Sequence, residues 1–97
     1  MEKANYILVT QFCHQTHMDY TFLEALITRE LIAFEKESNE YYILMDEVGE
    51  IEKMHRLHKD LGVNADGLGV VNEMLDRISG MEKEIRYLRQ KLDVYEG

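Results

Sequence analysis

The sequence predicts a mainly α-helical protein, in which a helix-turn-helix head with a small β-hairpin wing is followed by a long C-terminal coiled-coil helix. Two short apolar helical segments stand close together near the start of the chain, and apolar residues recur every three or four positions over its last third. The 97 residues, of which 45% are hydrophobic, suffice for one core and one extension. We expect a head over residues 1–62 and a dimerisation helix over residues 63–97.

The head is expected to begin with a short strand and two helices. Residues 6–9 form a β-prone run, and Thr10 is the candidate N-cap of a brief first helix. Residues 15–17 predict the turn. Asp19 is the candidate N-cap of a second helix that continues through Arg29. Two helices joined by so short a turn are typical of a helix-turn-helix motif.

The wing and a third helix are expected to follow. A polar stretch over residues 35–40 separates two apolar runs, 31–34 and 41–44, which predicts a hairpin. Asp46 is the candidate cap of the third helix. Its apolar stripe has a period of about 3.6 residues and consists of Val48, Ile51, Met54, Leu57 and Leu61.

The last helix has the strongest pattern in the sequence. Gly62 is placed to end the third helix, and Asn64 is the candidate N-cap of the last one. Apolar residues then follow at intervals of three and four, with one irregular step at residues 79–81. This seam consists of Leu68, Val71, Leu75, Ile78, Met81, Ile85, Leu88, Leu92 and Tyr95.

Such a helix is expected to need a partner. At 1.5 Å per residue it extends about 45 Å, which is more than a head of this size can cover. We therefore expect a homodimer whose contacts include Leu75, Ile78, Ile85, Leu88 and Leu92. The alternative is a helix that breaks at Gly80 and folds back on its own head.

Charge and composition limit the partners. Eleven Lys and Arg stand against nineteen Asp and Glu, and the net charge of −8 makes DNA an unlikely partner because DNA affinity depends on cations. A basic protein surface is a better partner for this acidic chain than DNA. No apolar run approaches the roughly 20 residues of a membrane span or signal peptide. With Cys13 as the one cysteine, we expect a cytoplasmic protein.

The sequence offers no clear catalytic or metal site. His14 and His17, and likewise His55 and His58, are spaced to share a helix face, but they lack a complete ligand set and are expected to be surface or packing residues. No nucleophile elbow, phosphate loop or zinc-hydrolase motif is present. We expect no metal, no cofactor and no enzymatic activity. Glycines over residues 67–69 are expected to let the last helix lie close to the head.

Three segments and the order of elements resemble the MerR family. Residues 9–13 resemble the first helix of that family, residues 31–32 the apolar pair that closes its recognition helix, and residues 61–66 its junction before the next helix. The resemblance implies a DNA-binding transcription regulator. However, the positions where MerR-type regulators carry phosphate-binding arginines fall on Thr21 and Glu24.

The acidic second helix and the short tail resemble a branch of this superfamily, the chaperone modulators of the CbpM type. Residues 19–24 and 81–92 are similar to the corresponding segments of that branch. The resemblance implies binding to the J-domain of a DnaJ/CbpA-like co-chaperone and inhibition of its work with DnaK. A transcription regulator and a dimeric adaptor are the alternatives.

The partner surface is expected on the exposed side of the second helix, because this side of a helix-turn-helix projects from the body. The expected contacts are Asp19, Phe22, Glu24, Ala25 and Thr28. In the alternative interpretation Phe22 belongs to the core and Asp19 only caps the helix.

Overall fold

The computed structural model describes residues 5–96 as a helical head, a small sheet and one long helix. The elements in chain order are β1 (Tyr6–Leu8), α1 (Val9–Thr16), α2 (Tyr20–Thr28), β2 (Phe34–Glu37), β3 (Glu40–Leu44), a 3-10 turn (Met45–Glu47), α3 (Val48–Leu61) and α4 (Ala65–Glu96). The predicted mainly α-helical class, with its wing and long C-terminal helix, is confirmed.

The two helices of the helix-turn-helix begin at different kinds of residue. α1 starts directly after the strand with Leu8 as its N-cap, so the prediction for Thr10 is wrong. The chain turns from extended to helical backbone without a polar cap. His17, with φ 62°, ends α1 in the left-handed region. Asp19 is the N-cap of α2 as predicted, and α2 ends at Thr28 with Arg29 as its C-cap.

The wing strands form a three-stranded antiparallel sheet with β1, in the order β1-β3-β2. The first wing strand was predicted over residues 31–34, but β2 lies over Phe34–Glu37, inside the polar stretch. Ile32 instead packs into the core. Polar side chains are tolerated in β2 because an edge strand leaves them in water. Ser38 and Asn39, with φ of 52° and 64°, form the turn to β3.

Local backbone chemistry sets the junctions on either side of α3. Glu47, not Asp46, is the N-cap of α3, and its Oε1 accepts a hydrogen bond from the Ala33 N–H at 3.2 Å. Gly62 ends α3 as predicted, with a φ of 69° that favours glycine. Asn64 caps α4 as predicted, since its Oδ1 accepts the Gly67 N–H at 2.9 Å.

One core joins the two helices of the motif, the sheet, α3 and the start of α4. Its buried members are Val9, Phe12, Cys13, Phe22, Leu23, Leu26, Ile27, Ile32, Ile43, Ile51, Met54 and Leu68. Leu68 was predicted as the first residue of the coiled-coil seam, but it is a core residue of the head. Gly69 permits this packing, because a Cβ there would lie 2.9 Å from Leu31 Cδ2.

α4 runs without a break from the head into solvent. Its 32 residues extend about 48 Å at 1.5 Å per residue, and every residue over 73–95 is exposed. The helix continues through Gly80, so the fold-back alternative is wrong. Lys53 Nζ lies 3.0 Å from Asp76 Oδ1 and holds α3 against α4. Among residues 5–96, no helix combines the length and the apolar character that a membrane span requires.

Candidate partner-binding site

α2 divides into a buried and an exposed side. Phe22, Leu23, Leu26 and Ile27 are buried, whereas the exposed residues lie on the opposite arc of the helix. Of the five predicted contacts, Asp19, Glu24 and Thr28 are exposed, Ala25 is half-buried and Phe22 is buried. Glu24 and Thr28 therefore share the exposed side of α2, whereas Asp19 lies at the start of the helix and Phe22 lies in the core.

The burial of Phe22 corrects its predicted role as an exposed anchor. Its ring stacks on His58 and meets His55 edge-on, with centroids 5.2 Å apart in both contacts. His58 Nδ1 lies 2.9 Å from the Val63 carbonyl oxygen, which can only accept, so Nδ1 carries the proton. These two histidines are packing residues between α2 and α3, as predicted.

A shallow cleft of about 190 Å³ lies where α2, α3 and the start of α4 meet. Three predicted contacts line it, together with both packing histidines and Lys59. Its full lining is Asp19, Thr21, Phe22, Ala25, His55, His58, Lys59 and Ala65. On the α2 side the cleft is bordered by Thr21 and Ala25. Within residues 5–96, no group of three or more His, Cys, Asp or Glu side chains is arranged to hold a metal ion.

The exposed side of α2 and the wing form one acidic face, defined here by Tyr20, Glu24, Glu40 and Tyr41. Partial burial, followed by the charges of Glu24, Tyr41 and Glu40, raises the pKa of Tyr20. These groups are therefore close enough to interact across α2 and β3. The Asp19 side chain makes no capping hydrogen bond, so its carboxylate is not consumed by capping.

Tyr20 is the aromatic residue that the sequence interpretation missed. It is 39% exposed, in contrast to the buried Phe22. The helical period gives the signal: Tyr20, Glu24 and Thr28 follow at intervals of four and share a stripe. Phe22, two residues from Tyr20, falls toward the opposite side.

Few cations lie in the segment from residue 19 to residue 40, and each of them contacts another side chain. Between residues 19 and 40 there are six carboxylates and two cations. Arg29 donates from Nε and Nη2 to Asp66 Oδ1, at 3.0 and 2.7 Å. Lys36 lies over the Tyr41 ring, with Nζ 5.5 Å from the centroid. Residues 19–40 are therefore net negative, with Lys36 on the face itself and Lys59 in the adjoining cleft as nearby cations.

A second exposed surface runs along α4. The predicted dimer contacts Leu75, Ile78, Ile85, Leu88 and Leu92 are all exposed. Leu75 is the least exposed of them at 38%, whereas its neighbour Met74 is 56% exposed. Met74, Ile78 and Met81 also line one shallow groove. Met74 therefore lies in line with the seam and Leu75 on its flank.

Comparison with protein families agrees with this architecture. A model of the MerR HTH family of regulatory proteins matches residues 7–90, which span the head and most of α4. The chain belongs to this family. No curated protein and no solved structure matched the sequence.

In MerR-type proteins, as in other helix-turn-helix proteins, the second helix is the recognition helix, and its exposed side enters the DNA groove. In this MerR-type chain that side presents Thr21 and Glu24, both exposed. A carboxylate facing a phosphate backbone is repulsive. The exposed side of the recognition helix therefore carries a negative charge at Glu24 and no cation at Thr21.

Proposed function

We propose that this MerR-type protein is a non-enzymatic chaperone modulator, which binds the J-domain of a DnaJ/CbpA-like co-chaperone and inhibits its cooperation with DnaK. The observation that carries the proposal is the acidic face on the recognition helix and wing. Glu24 is exposed there beside Tyr20, and Asp19 is exposed at the start of the same helix. The similarity of residues 19–24 and 81–92 to CbpM-type modulators supports the same partner.

The physical basis is charge complementarity. J-domains present a basic helix to DnaK, and an acidic helix surface can occupy it in competition. Complementary charges chiefly raise the association rate and select the partner, while Tyr20 supplies an aromatic contact of the kind that anchors interfaces. Inhibition then follows from steric occlusion of the DnaK-binding helix and requires no reaction.

We further propose that α4 makes the protein a homodimer. Its apolar stripe, including Ile78, Ile85, Leu88 and Leu92, lies in water in the single chain, and a second helix would cover it. Light scattering should give twice the 11.5 kDa chain mass. Leu88→Asp should produce a monomer. A monomer for the unaltered chain at micromolar concentration would refute the dimer.

Calorimetry with a purified J-domain tests the partner. We expect binding that weakens as salt increases, and weaker binding by Glu24→Lys with an unchanged circular-dichroism spectrum. Asp93→Lys is the matched control, because Asp93 is exposed on α4 away from the acidic face. If Glu24→Lys binds as the unaltered protein does, the surface is wrong. If no J-domain binds, the modulator proposal fails.

The second candidate function is a MerR-type DNA-binding transcription regulator, which the family match favours. The acidic face predicts negligible DNA affinity at physiological salt. Thr21→Arg combined with Glu24→Arg should raise non-specific binding, as fluorescence anisotropy with a labelled duplex would detect. Tight, sequence-specific binding by the unaltered protein would instead support the regulator.

A further inference from the structure

We propose that the acidic face binds one arginine side chain of the partner against its two tyrosine rings, Tyr20 and Tyr41, and that Lys36 occupies part of this site in the free protein. The inference rests on the proposed binding of a J-domain and names the chemical group that is recognised. Three observations support it: the placement of the two rings, the cation that already lies on one of them, and the carboxylates beside them.

The two tyrosines come from different elements of the head. Tyr20 is the first residue of α2 and is 39% exposed, and Tyr41 is half-buried near the start of β3. Phe34 meets Tyr41 edge-on, with ring centroids 5.8 Å apart, and both pack against the core. The Tyr41 ring is therefore held in place before a partner arrives, which reduces the entropy lost on binding.

A cation of the chain itself lies on the Tyr41 ring. Lys36 stands opposite Tyr41 in the pairing of β2 with β3, and its Nζ lies 5.5 Å from the ring centroid. This distance is within the roughly 6 Å over which an aromatic face attracts a cation. The contact identifies the chemistry that this ring recognises. Because Lys36 is exposed, its ammonium group can move into water when a partner cation takes its place.

Two carboxylates supply the negative charge beside the rings. Glu24 lies one turn after Tyr20 on α2, and Glu40 directly precedes Tyr41. Both glutamates are exposed, and within residues 5–96 neither forms an ion pair. Burial, and then the charges of Glu24, Tyr41 and Glu40, raise the pKa of Tyr20. The site is therefore negative where a cation would contact the rings.

Arginine fits this combination of groups better than lysine does. Its planar guanidinium group can lie flat on a tyrosine ring while its N–H groups donate to a carboxylate. The ammonium group of lysine is a compact and strongly hydrated charge, and it cannot make both contacts in this way. The site should therefore select arginine over lysine, although the two side chains carry the same charge.

Titration of the full chain with single amino-acid amides tests the site without a J-domain. In nuclear magnetic resonance spectra, N-acetylarginine amide should shift the ring protons of Tyr20 and Tyr41. N-acetyllysine amide should cause less than about a third of that shift at the same concentration. Tyr87, which stands on α4 away from the acidic face, is the control ring and should shift little with either amide. Equal shifts of Tyr20 and Tyr41 with the two amides, or no shift, would overturn the proposal.

Substitutions of Lys36 separate competition within the chain from net charge. Lys36→Met should tighten J-domain binding about threefold in calorimetry, because the competing cation is gone. Lys36→Arg keeps the charge but covers the Tyr41 ring more strongly, so it should weaken binding about threefold, whereas charge alone predicts no change. Lys91→Met is the matched control, since Lys91 Nζ lies 5.2 Å from the Tyr87 centroid on α4; it should alter binding by less than about twofold.

Two substitutions of Tyr20 test the aromatic contact itself. Tyr20→Leu should weaken J-domain binding about tenfold, whereas Tyr20→Phe keeps the ring and should stay within about twofold of the unaltered chain. Both variants should retain the circular-dichroism spectrum, since Tyr20 lies outside the buried core. Equal affinities of the leucine and phenylalanine variants would show that the ring takes no part in binding.

The outcomes separate this site from the modulator proposal. If a J-domain binds the unaltered chain, and Tyr20→Leu and Lys36→Arg bind it equally well, the arginine site is wrong and the modulator proposal stands. If no J-domain binds but the arginine amide shifts both rings, the partner is wrong and the site stands.

Discussion

Replacing Leu68 with alanine removes the apolar side chain through which α4 joins the core of the head. Leu68 is 0% exposed and belongs to the same cluster as Leu23, Leu26 and Met54. Truncating a fully buried leucine loses its transfer free energy and leaves a cavity, and the two effects together cost roughly 2–5 kcal/mol. That is a large part of the roughly 5–15 kcal/mol by which a typical domain is stable.

Urea denaturation followed by tyrosine fluorescence measures this loss. Leu61→Ala is the matched control, since Leu61 lies at the end of α3 and is 72% exposed; it should change the free energy of unfolding by no more than about 0.5 kcal/mol. Equal effects of the two substitutions would refute the packing of α4 against the head.

Four further predictions concern single positions. Gly80→Ala should raise the free energy of unfolding by about 0.5–1 kcal/mol in thermal melts, because alanine favours a helix and its Cβ would meet nothing within 4 Å. Gly69→Ala should lower the free energy of unfolding, because its Cβ would lie 2.9 Å from Leu31 Cδ2. Tyr20, whose folded pKa is raised above the ordinary 10.0, should contribute stability that is present below pH 10 and lost as the pH rises through the folded pKa; ultraviolet titration should show a late ionisation that Tyr20→Phe removes. Burial, and then the Asp19 charge, raise the pKa of the Cys13 thiol. A thiol reagent should therefore modify Cys13 slowly at neutral pH and rapidly once the chain is unfolded. Fast modification of the folded chain would contradict the burial of Cys13.

Signals confined to a few neighbouring residues were predictable from the sequence. Gly62 at the end of α3 and Asn64 at the start of α4 each follow from backbone chemistry within one turn, and Asp19 stands at the N-cap of α2 as predicted although its side chain makes no capping hydrogen bond. The helical character of α4 follows from its periodicity alone.

Features that depend on distant partners were not predictable. The position of β2 depends on its pairing with β3, where Phe34 stands opposite Ile43. The burial of Phe22 depends on His55 and His58, which lie 33 and 36 residues further along the chain. In both cases the local pattern admits more than one orientation, and the tertiary contact selects one.

The candidate site divides in the same way. Helical spacing predicts which carboxylates of α2 are exposed. That α2 and the wing lie side by side is seen only in the folded structure. Tyr20 was overlooked because Phe22 is the more apolar of the two aromatic residues, yet the helix places Tyr20 on the stripe with Glu24.

J-domain binding by the acidic face is tested most directly by a nuclear magnetic resonance titration of the isotope-labelled full chain with an unlabelled J-domain. Amide shifts should change chiefly over α2 and at Glu40 and Tyr41, with little change beyond residue 80 of α4. Changes over the same residues on adding a DNA duplex, with none on adding the J-domain, would contradict it.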